Sequence, residues 1–240
     1  MNGFNWQIEL QCPQCGAPVT LEETYTLLLC PFCRTKLYLQ PGDYFRYYIP
    51  APGSIPDVPL YIPYWRFRGL CFSARGIELV SRFADINLRS VVMDGMPESL
   101  GVRPQAMKLK FVSPSTPGHF IPPRMTLDDI MRRIAELNAD SGSYHVFIGE
   151  IASLIYTPVY LKKGVLTDAI LNRPLAAMSS WIQQVINDTK SRPDWQVKFI
   201  PTLCPNCSWD LEGEKEALVL LCRNCDSAWR PAGTQLEKIP

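Results

Sequence analysis

Eight of the nine cysteines in this 240-residue chain fall into four C-x-x-C pairs. Fourteen residues separate Cys12-Pro-Gln-Cys15 from Cys30-Pro-Phe-Cys33, and fourteen separate Cys204-Pro-Asn-Cys207 from Cys222-Arg-Asn-Cys225. A thiolate is a soft donor, and two tight pairs brought together offer the four ligands of a tetrahedral centre. The spacing reads as one centre from Cys12, Cys15, Cys30 and Cys33, and a second from Cys204, Cys207, Cys222 and Cys225. Two Zn²⁺ ions in a structural role are expected, with iron the less favoured metal. Four protein ligands leave no open position for a reacting water, so neither centre is expected to hydrolyse a substrate. Modules this small draw folding energy from the ion itself, on the order of 10–16 kcal/mol in zinc-finger peptides.

The same pairs fit a redox dithiol less well. Redox pairs open a helix that depresses the first thiol, whereas Arg34-Thr-Lys-Leu-Tyr-Leu39 after Cys33 has the pattern of a strand. Short strands should therefore position the cysteines: Val19 to Leu21, Tyr25 to Leu29 and Thr35 to Leu39 around the first two pairs. This arrangement resembles the zinc-ribbon (rubredoxin-like) modules, in which each C-x-x-C lies at a hairpin tip and two tips clamp one ion. The likeness covers residues 5–40 and 198–232, roughly a third of the chain. The family's usual knuckle is C-P-x-C-G. Pro13, Pro31 and Pro205 follow it, while Arg223 stands at that position in the fourth pair. Gly16 follows it too, but Arg34, Ser208 and Asp226 replace the glycine that best accepts a positive φ.

Composition limits what such modules could serve. Twenty-four basic residues against 23 acidic ones leave a net charge of +1, with 47% apolar and 20% charged residues, values of an ordinary folded protein. No overall field draws the chain to nucleic acid or an anionic membrane. The first ribbon holds only Arg34 and Lys36 against Glu9, Glu22 and Glu23, and the second holds more acids than bases. A nucleic-acid-binding ribbon protein is thus a rival reading but not the favoured one, and a rubredoxin-like electron carrier is another. No apolar run reaches the eighteen or so residues of a transmembrane helix. The N-terminal residues lack a signal-peptide pattern, and cysteines paired at metal spacing suit a reducing compartment, so a cytoplasmic location is expected.

The middle of the chain must hold the larger core. The expected division is an N-terminal ribbon over 1–40, a central domain over 41–197 with a Pro- and aromatic-rich entry, and a C-terminal ribbon over 198–240. Within the centre, Tyr61-Ile-Pro63-Tyr-Trp65-Arg-Phe-Arg68-Gly69-Leu70 aligns without gaps on Tyr156-Thr-Pro158-Val-Tyr160-Leu-Lys-Lys163-Gly164-Val165. Both copies are rich in β-formers, with a glycine where a hairpin would turn and a proline suited to an edge or a bulge. Two helices are expected. One follows a cap at Thr126, with Leu127, Ile130, Met131, Ile134 and Leu137 on its apolar face. The other starts at Pro174 and continues through Leu175, Met178, Trp181, Ile182, Val185 and Ile186. The expected fold class is α+β: a pseudo-duplicated sheet-and-helix domain flanked by two small β zinc ribbons.

For chemistry outside the cysteines the inventory is thin. No G-x-S-x-G, P-loop, G-x-G-x-x-G or H-E-x-x-H motif is present, and His119, His145 and Glu150 stand alone. Cys71 reads as a small buried apolar residue. Aromatics and arginines crowd the segment from Tyr44 to Phe72, a composition enriched at binding hot spots. Most of them read as sheet core. Tyr64, Arg66 and Arg68, alternating with Trp65 and Phe67, are candidates for an exposed strand face that binds a partner. The expectation is a non-enzymatic zinc-binding adaptor or scaffold that engages another protein.

Overall fold

The computed structural model describes residues 7–22, 26–41, 43–53, 55, 58–75, 77–103, 107, 109–112, 116–137, 144–177, 180, 182–184, 197–214, 217–233 and 235–240. In chain order, β1 (Gln7–Gln11), β2 (Pro18–Glu22), β3 (Leu27–Leu29) and β4 (Lys36–Gln40) come first. The middle holds β5 (Phe45–Tyr48), β6 (Leu60–Arg75), β7 (Glu78–Arg89), β8 (Lys110–Phe111), β9 (His119–Phe120), α1 (Leu127–Leu137), β10 (Tyr144–Lys162), β11 (Val165–Asp168) and β12 (Arg173–Ala177). Last come β13 (Lys198–Pro201), β14 (Leu220–Cys222), β15 (Ser227–Ala232) and β16 (Gln235–Ile239). The chain forms two units, one of Met1–Asp43 with Asp194–Pro240 and the other of Tyr44–Pro193.

The central unit is one eight-stranded, curled, largely antiparallel sheet. Its axis is the antiparallel pair β6–β10, matched from Leu60 opposite Val159 to Ala74 opposite Tyr144. Residues 61–67 of β6 are all buried, because the strand is covered on both faces and flanked on both edges. The aromatic segment is therefore core. Phe120 stacks on Tyr61 with centroids 4.4 Å apart and meets Tyr156 edge-on at 5.0 Å. Such pairs contribute about 0.5–1.5 kcal/mol each beyond their buried area. Trp65, also buried, donates its indole N–H to Met125 O at 3.0 Å.

Pro63 and Pro158 lie inside these two strands, at neither an edge nor a bulge. Each stands where the outer neighbour of its strand changes. Beside β6, β9 pairs Leu60 and Tyr61, and β7 takes over from Tyr64. Beside β10, β5 pairs as far as Tyr156, and β11 takes over from Val159. The two proline carbonyls accept from the passing chain, Pro63 O from Ser90 N and Pro158 O from Ala169 N, both at 3.1 Å. The missing N–H of each proline points into the same gap, so no ladder hydrogen bond is lost. The register sets Tyr61 opposite Pro158 and Pro63 opposite Tyr156. The two glycines of the shared pattern differ. Lys163 and Gly164 make the β10–β11 turn with φ of 52° and 79°, but Gly69 stays inside β6, opposite Gly149 and beside a register shift that leaves Glu150 as the extra residue.

The α+β expectation is overturned: strand makes up 49% of the chain and helix 8%. The helix at Thr126 is present as α1. Thr126 Oγ1 accepts from Asp129 N at 3.2 Å, and Asp129 Oδ2 accepts from Thr126 N at 3.0 Å, a reciprocal cap. Ile130 and Ile134 are buried on its inner face. The second helix does not begin at Pro174. Arg173–Ala177 is instead the edge strand β12, pairing with β11 through a register shift between Leu166 and Thr167. An edge strand tolerates proline, and pairing with β11 outweighs the helical periodicity of an isolated segment. Helical residues occur only at 180 and 182–184 among those described there, and Met178, Trp181, Val185 and Ile186 lie outside the described residues.

The other unit gathers the two cysteine-bearing ends of the chain. β13 pairs antiparallel with β4, which also pairs with β3, in a three-stranded sheet of order β13-β4-β3. β14, β15 and β16 form a second sheet of three strands, and β1 and β2 a hairpin. Tyr25, expected in the strand that became β3, lies outside the described residues. Tyr38 of β4 and Ile200 of β13 pack in one cluster with Leu211, Leu220 and Trp229, so a single core serves both modules.

Candidate metal centres

Each cysteine pair sits at a bend, and in the first three pairs the same backbone hydrogen bond closes it. Gly16 N bonds to Cys12 O at 2.8 Å, Arg34 N to Cys30 O at 2.9 Å and Ser208 N to Cys204 O at 2.8 Å. The bend needs a left-handed residue directly after the second cysteine. Gly16, Arg34, Ser208 and Asp226 all take it, with φ of 72°, 60°, 59° and 51°. Three non-glycine residues thus keep the geometry of the glycine they replace, at a backbone cost of about 1–2 kcal/mol each.

The bends turn the sulfur atoms toward one another. In each set of four, Cys12, Cys15, Cys30, Cys33 and Cys204, Cys207, Cys222, Cys225, all Sγ atoms lie within 4.8 Å of one another. The closest approaches pair first with fourth and second with third: Cys12–Cys33 at 3.8 Å, Cys15–Cys30 at 3.7 Å, Cys204–Cys225 at 3.6 Å and Cys207–Cys222 at 3.4 Å. None of the eight is in a disulfide. Metal–sulfur bonds of about 2.3 Å imply tetrahedral edges of about 3.8 Å, which these separations approach. The first cysteine of each pair is buried and the second is more exposed. Both clusters fit zinc-ribbon-like sites, and each could hold one metal ion.

Hydroxyl groups support the last cysteine of each set. Thr35 Oγ1 lies 3.3 Å from Cys33 Sγ. Ser227 Oγ lies 3.1 Å from Cys225 Sγ and 3.7 Å from Cys204 Sγ, and it accepts the indole N–H of Trp229 at 2.8 Å. A thiolate can only accept, so once the sulfurs are ionised Thr35 gives its hydroxyl proton to Cys33, and Ser227 gives its single one to the nearer sulfur, that of Cys225. Without an ion the Cys33 thiol is lowered to about 6, first by the Thr35 hydroxyl and then by the Thr35 N–H. Cys225 is lowered by the Asn206 side chain and then by Ser227. Burial drives Cys222 the other way, to about 12. Within the C-terminal cluster Cys225 and Cys222 are thus pushed in opposite directions, and a divalent cation is the partner that makes neighbouring thiolates compatible. Sequence reasoning missed Thr35, Ser227 and Trp229. A signal was present, since both closing pairs read C-x-x-C-x-[ST].

The candidates for an exposed binding face stand elsewhere. Tyr64 is fully buried and donates its hydroxyl to Pro97 O at 2.8 Å, with burial raising its pKa. Arg66 is 4% exposed and forms a two-pronged pair with Asp85, both bonds at 2.8 Å. Arg68 is half-buried with its guanidinium 5.5 Å from the Phe83 ring centroid. The alternation rule fails because β6 is covered on both faces, so Tyr64 and Arg66 present no open surface. Cys71 is buried and free. Among the described residues no helix is long and apolar enough to cross a membrane.

No protein-family model, no curated protein and no solved structure matches this chain.

Proposed function

We propose that the chain is a zinc-binding protein whose two tetrathiolate centres are structural, and that it acts as a non-enzymatic cytoplasmic adaptor for another protein. The observation that carries the metal reading is the pair of four-sulfur clusters with edges of 3.4–3.8 Å, close to the edges of a zinc tetrathiolate. Closed ligand sets favour a structural over a catalytic ion.

The adaptor reading rests on what surrounds the metal. Phe32 lies inside the second cysteine pair and is 65% exposed, and Trp209, two residues beyond the third pair, is 58% exposed. Large aromatic side chains held in solvent on a rigid bend are the anchors that protein interfaces use. The cytoplasmic reading rests on eight free cysteines at ligand spacing, which a reducing compartment preserves.

Elemental analysis of the purified chain should find two zinc ions per molecule and a colourless protein. Iron with visible absorption would transfer the reading to an electron carrier. For the adaptor, a tagged chain should retain a protein from its native extract at near one-to-one stoichiometry, insensitive to nuclease, and Phe32→Ala with Trp209→Ala should abolish that recovery while leaving zinc in place. Loss of the retained protein on nuclease treatment would replace the adaptor by a nucleic-acid binder.

A further inference from the structure

The twelve residues of β7 pair with β6 without a register shift, and among the described residues no strand pairs along the other edge of β7. From Glu78 to Phe83 every residue is exposed, whereas Ala84, Leu88 and their neighbours are covered by the core. Half of β7 thus stands in solvent while still paired with β6. Leu79 is 69% exposed, Val80 53% and Phe83 55%. Soluble proteins guard such edges with charged side chains, lysine above all, or with proline, a bulge or a very short strand. The stretch from Glu78 to Phe83 has no lysine, proline or bulge, and its two charges, Glu78 and Arg82, are of opposite sign.

The residues themselves indicate what covers this edge. Counted outward from Val80, Glu78 and Arg82 stand at equal distances within the strand. A second β7 laid antiparallel, with a two-fold axis at Val80, sets Glu78 opposite Arg82 of the other copy. Val80 then meets its own counterpart on the axis. Opposite charges facing each other across two strands are stabilising, and the two-fold axis makes the Glu78–Arg82 pair occur twice. The neighbouring registers are poorer. Centring on Arg82 opposes two arginines, and centring on Ser81 leaves Glu78 opposite Ala84.

A lipid surface suits this hairpin less well, because the exposed Glu78, first residue after its turn, would have to enter the bilayer first. A foreign strand would require no internal symmetry of charge. We propose that two copies of this chain associate through their β7 edges, antiparallel about Val80, to form a homodimer with a continuous sheet.

The test is sedimentation of the metal-loaded full-length chain over a range of concentrations. Wild-type protein should dimerise reversibly. Glu78→Arg and Arg82→Glu each place like charges opposite one another twice per dimer, and each should weaken association at least about tenfold. The double variant Glu78→Arg/Arg82→Glu restores the pairing in swapped form and should recover dimerisation to within a few-fold of wild type. Far-UV circular dichroism and zinc content should be the same in all four proteins. A wild-type chain that stays monomeric throughout the range overturns the proposal. So do single variants that dimerise like wild type, or a double variant no better than the singles.

Discussion

Trp229 Nε1 donates a hydrogen bond to Ser227 Oγ at 2.8 Å, and the same oxygen lies 3.1 Å from Cys225 Sγ. An indole N–H can only donate, so the serine oxygen is the acceptor there and its single proton is left for the sulfur. The tryptophan thereby orients a hydroxyl toward the C-terminal metal centre. Thr35 stands in the same relation to Cys33 at the N-terminal centre, without an indole behind it. Ser227→Ala should lower zinc affinity at the C-terminal centre by about 10–100-fold, the usual cost of losing a group that supports a ligand. Thr35→Val should do the same at the N-terminal centre. Competition with a chromophoric chelator, run on each single variant, reads both effects.

Arg34, Ser208 and Asp226 carry positive φ that glycine would take without strain. Each change to glycine should stabilise the zinc-loaded chain by up to about 1 kcal/mol, the relief of left-handed strain less the added freedom of the unfolded chain. Gly16→Ala should cost about 1 kcal/mol through the backbone alone, since an added Cβ there meets nothing within 4 Å. Urea denaturation midpoints with constant m-values would check all four.

The two centres share one fold, so they should not empty independently. β4 follows the N-terminal cysteines, β13 precedes the C-terminal ones, and the two strands pair from Leu37 opposite Pro201 to Gln40 opposite Lys198. Removing zinc from the C-terminal set with Cys222→Ser should weaken the remaining ion at least several-fold, because the core around Tyr38 and Ile200 loses its partners Leu220 and Trp229. A chelator titration that shows the N-terminal affinity unchanged in this variant would refute the coupling.

The cap of α1 gives a signed pH response. The carboxylate of Asp129 is held below its ordinary 3.8 by the Thr126 hydroxyl first, then by the Thr126 N–H and Arg132. A depressed acid contributes its stability above the unfolded value and loses it as the pH falls through the lower folded one. The helix should therefore be insensitive to pH above about 4 and fray below it, which the Thr126 amide resonance would follow. Asp129→Asn should remove this acid transition, and Thr126→Ala should cost about 1 kcal/mol at neutral pH.

Thr157 is 2% exposed, and its Oγ1 has no hydrogen-bond partner among the described residues. Valine has the same shape without the stranded hydroxyl. Thr157→Val should stabilise the central unit by about 1 kcal/mol in thermal or denaturant unfolding.

The cysteine pairs could be read from the chain because their chemistry is local. A C-x-x-C brings two sulfurs to one bend, and fourteen intervening residues return the chain for the second bend. The cap at Thr126 was legible for the same reason, since both of its hydrogen bonds span three residues. Segments whose state depends on distant neighbours were not. Residues 173–177 carry a helical period but form β12 because β11 lies beside them. Tyr64 and Arg66 alternate like a half-exposed strand, yet β6 is covered on both faces, and the charge of Arg66 is met by Asp85 from β7.

By itself, then, the sequence determined where metal can be held, because ligand type and short-range spacing are properties of a few covalently linked residues. Only the tertiary structure decided that the two ends of the chain form one unit around a shared core, that Pro63 and Pro158 fall at changes of neighbour, and that Tyr64 and Arg66 face inward with the rest of the aromatic segment. These outcomes depend on pairings between residues as far apart as Leu37 and Pro201 or Tyr61 and Pro158. Such pairings follow from burying apolar area and satisfying every backbone group at once, a condition no local stretch of sequence contains.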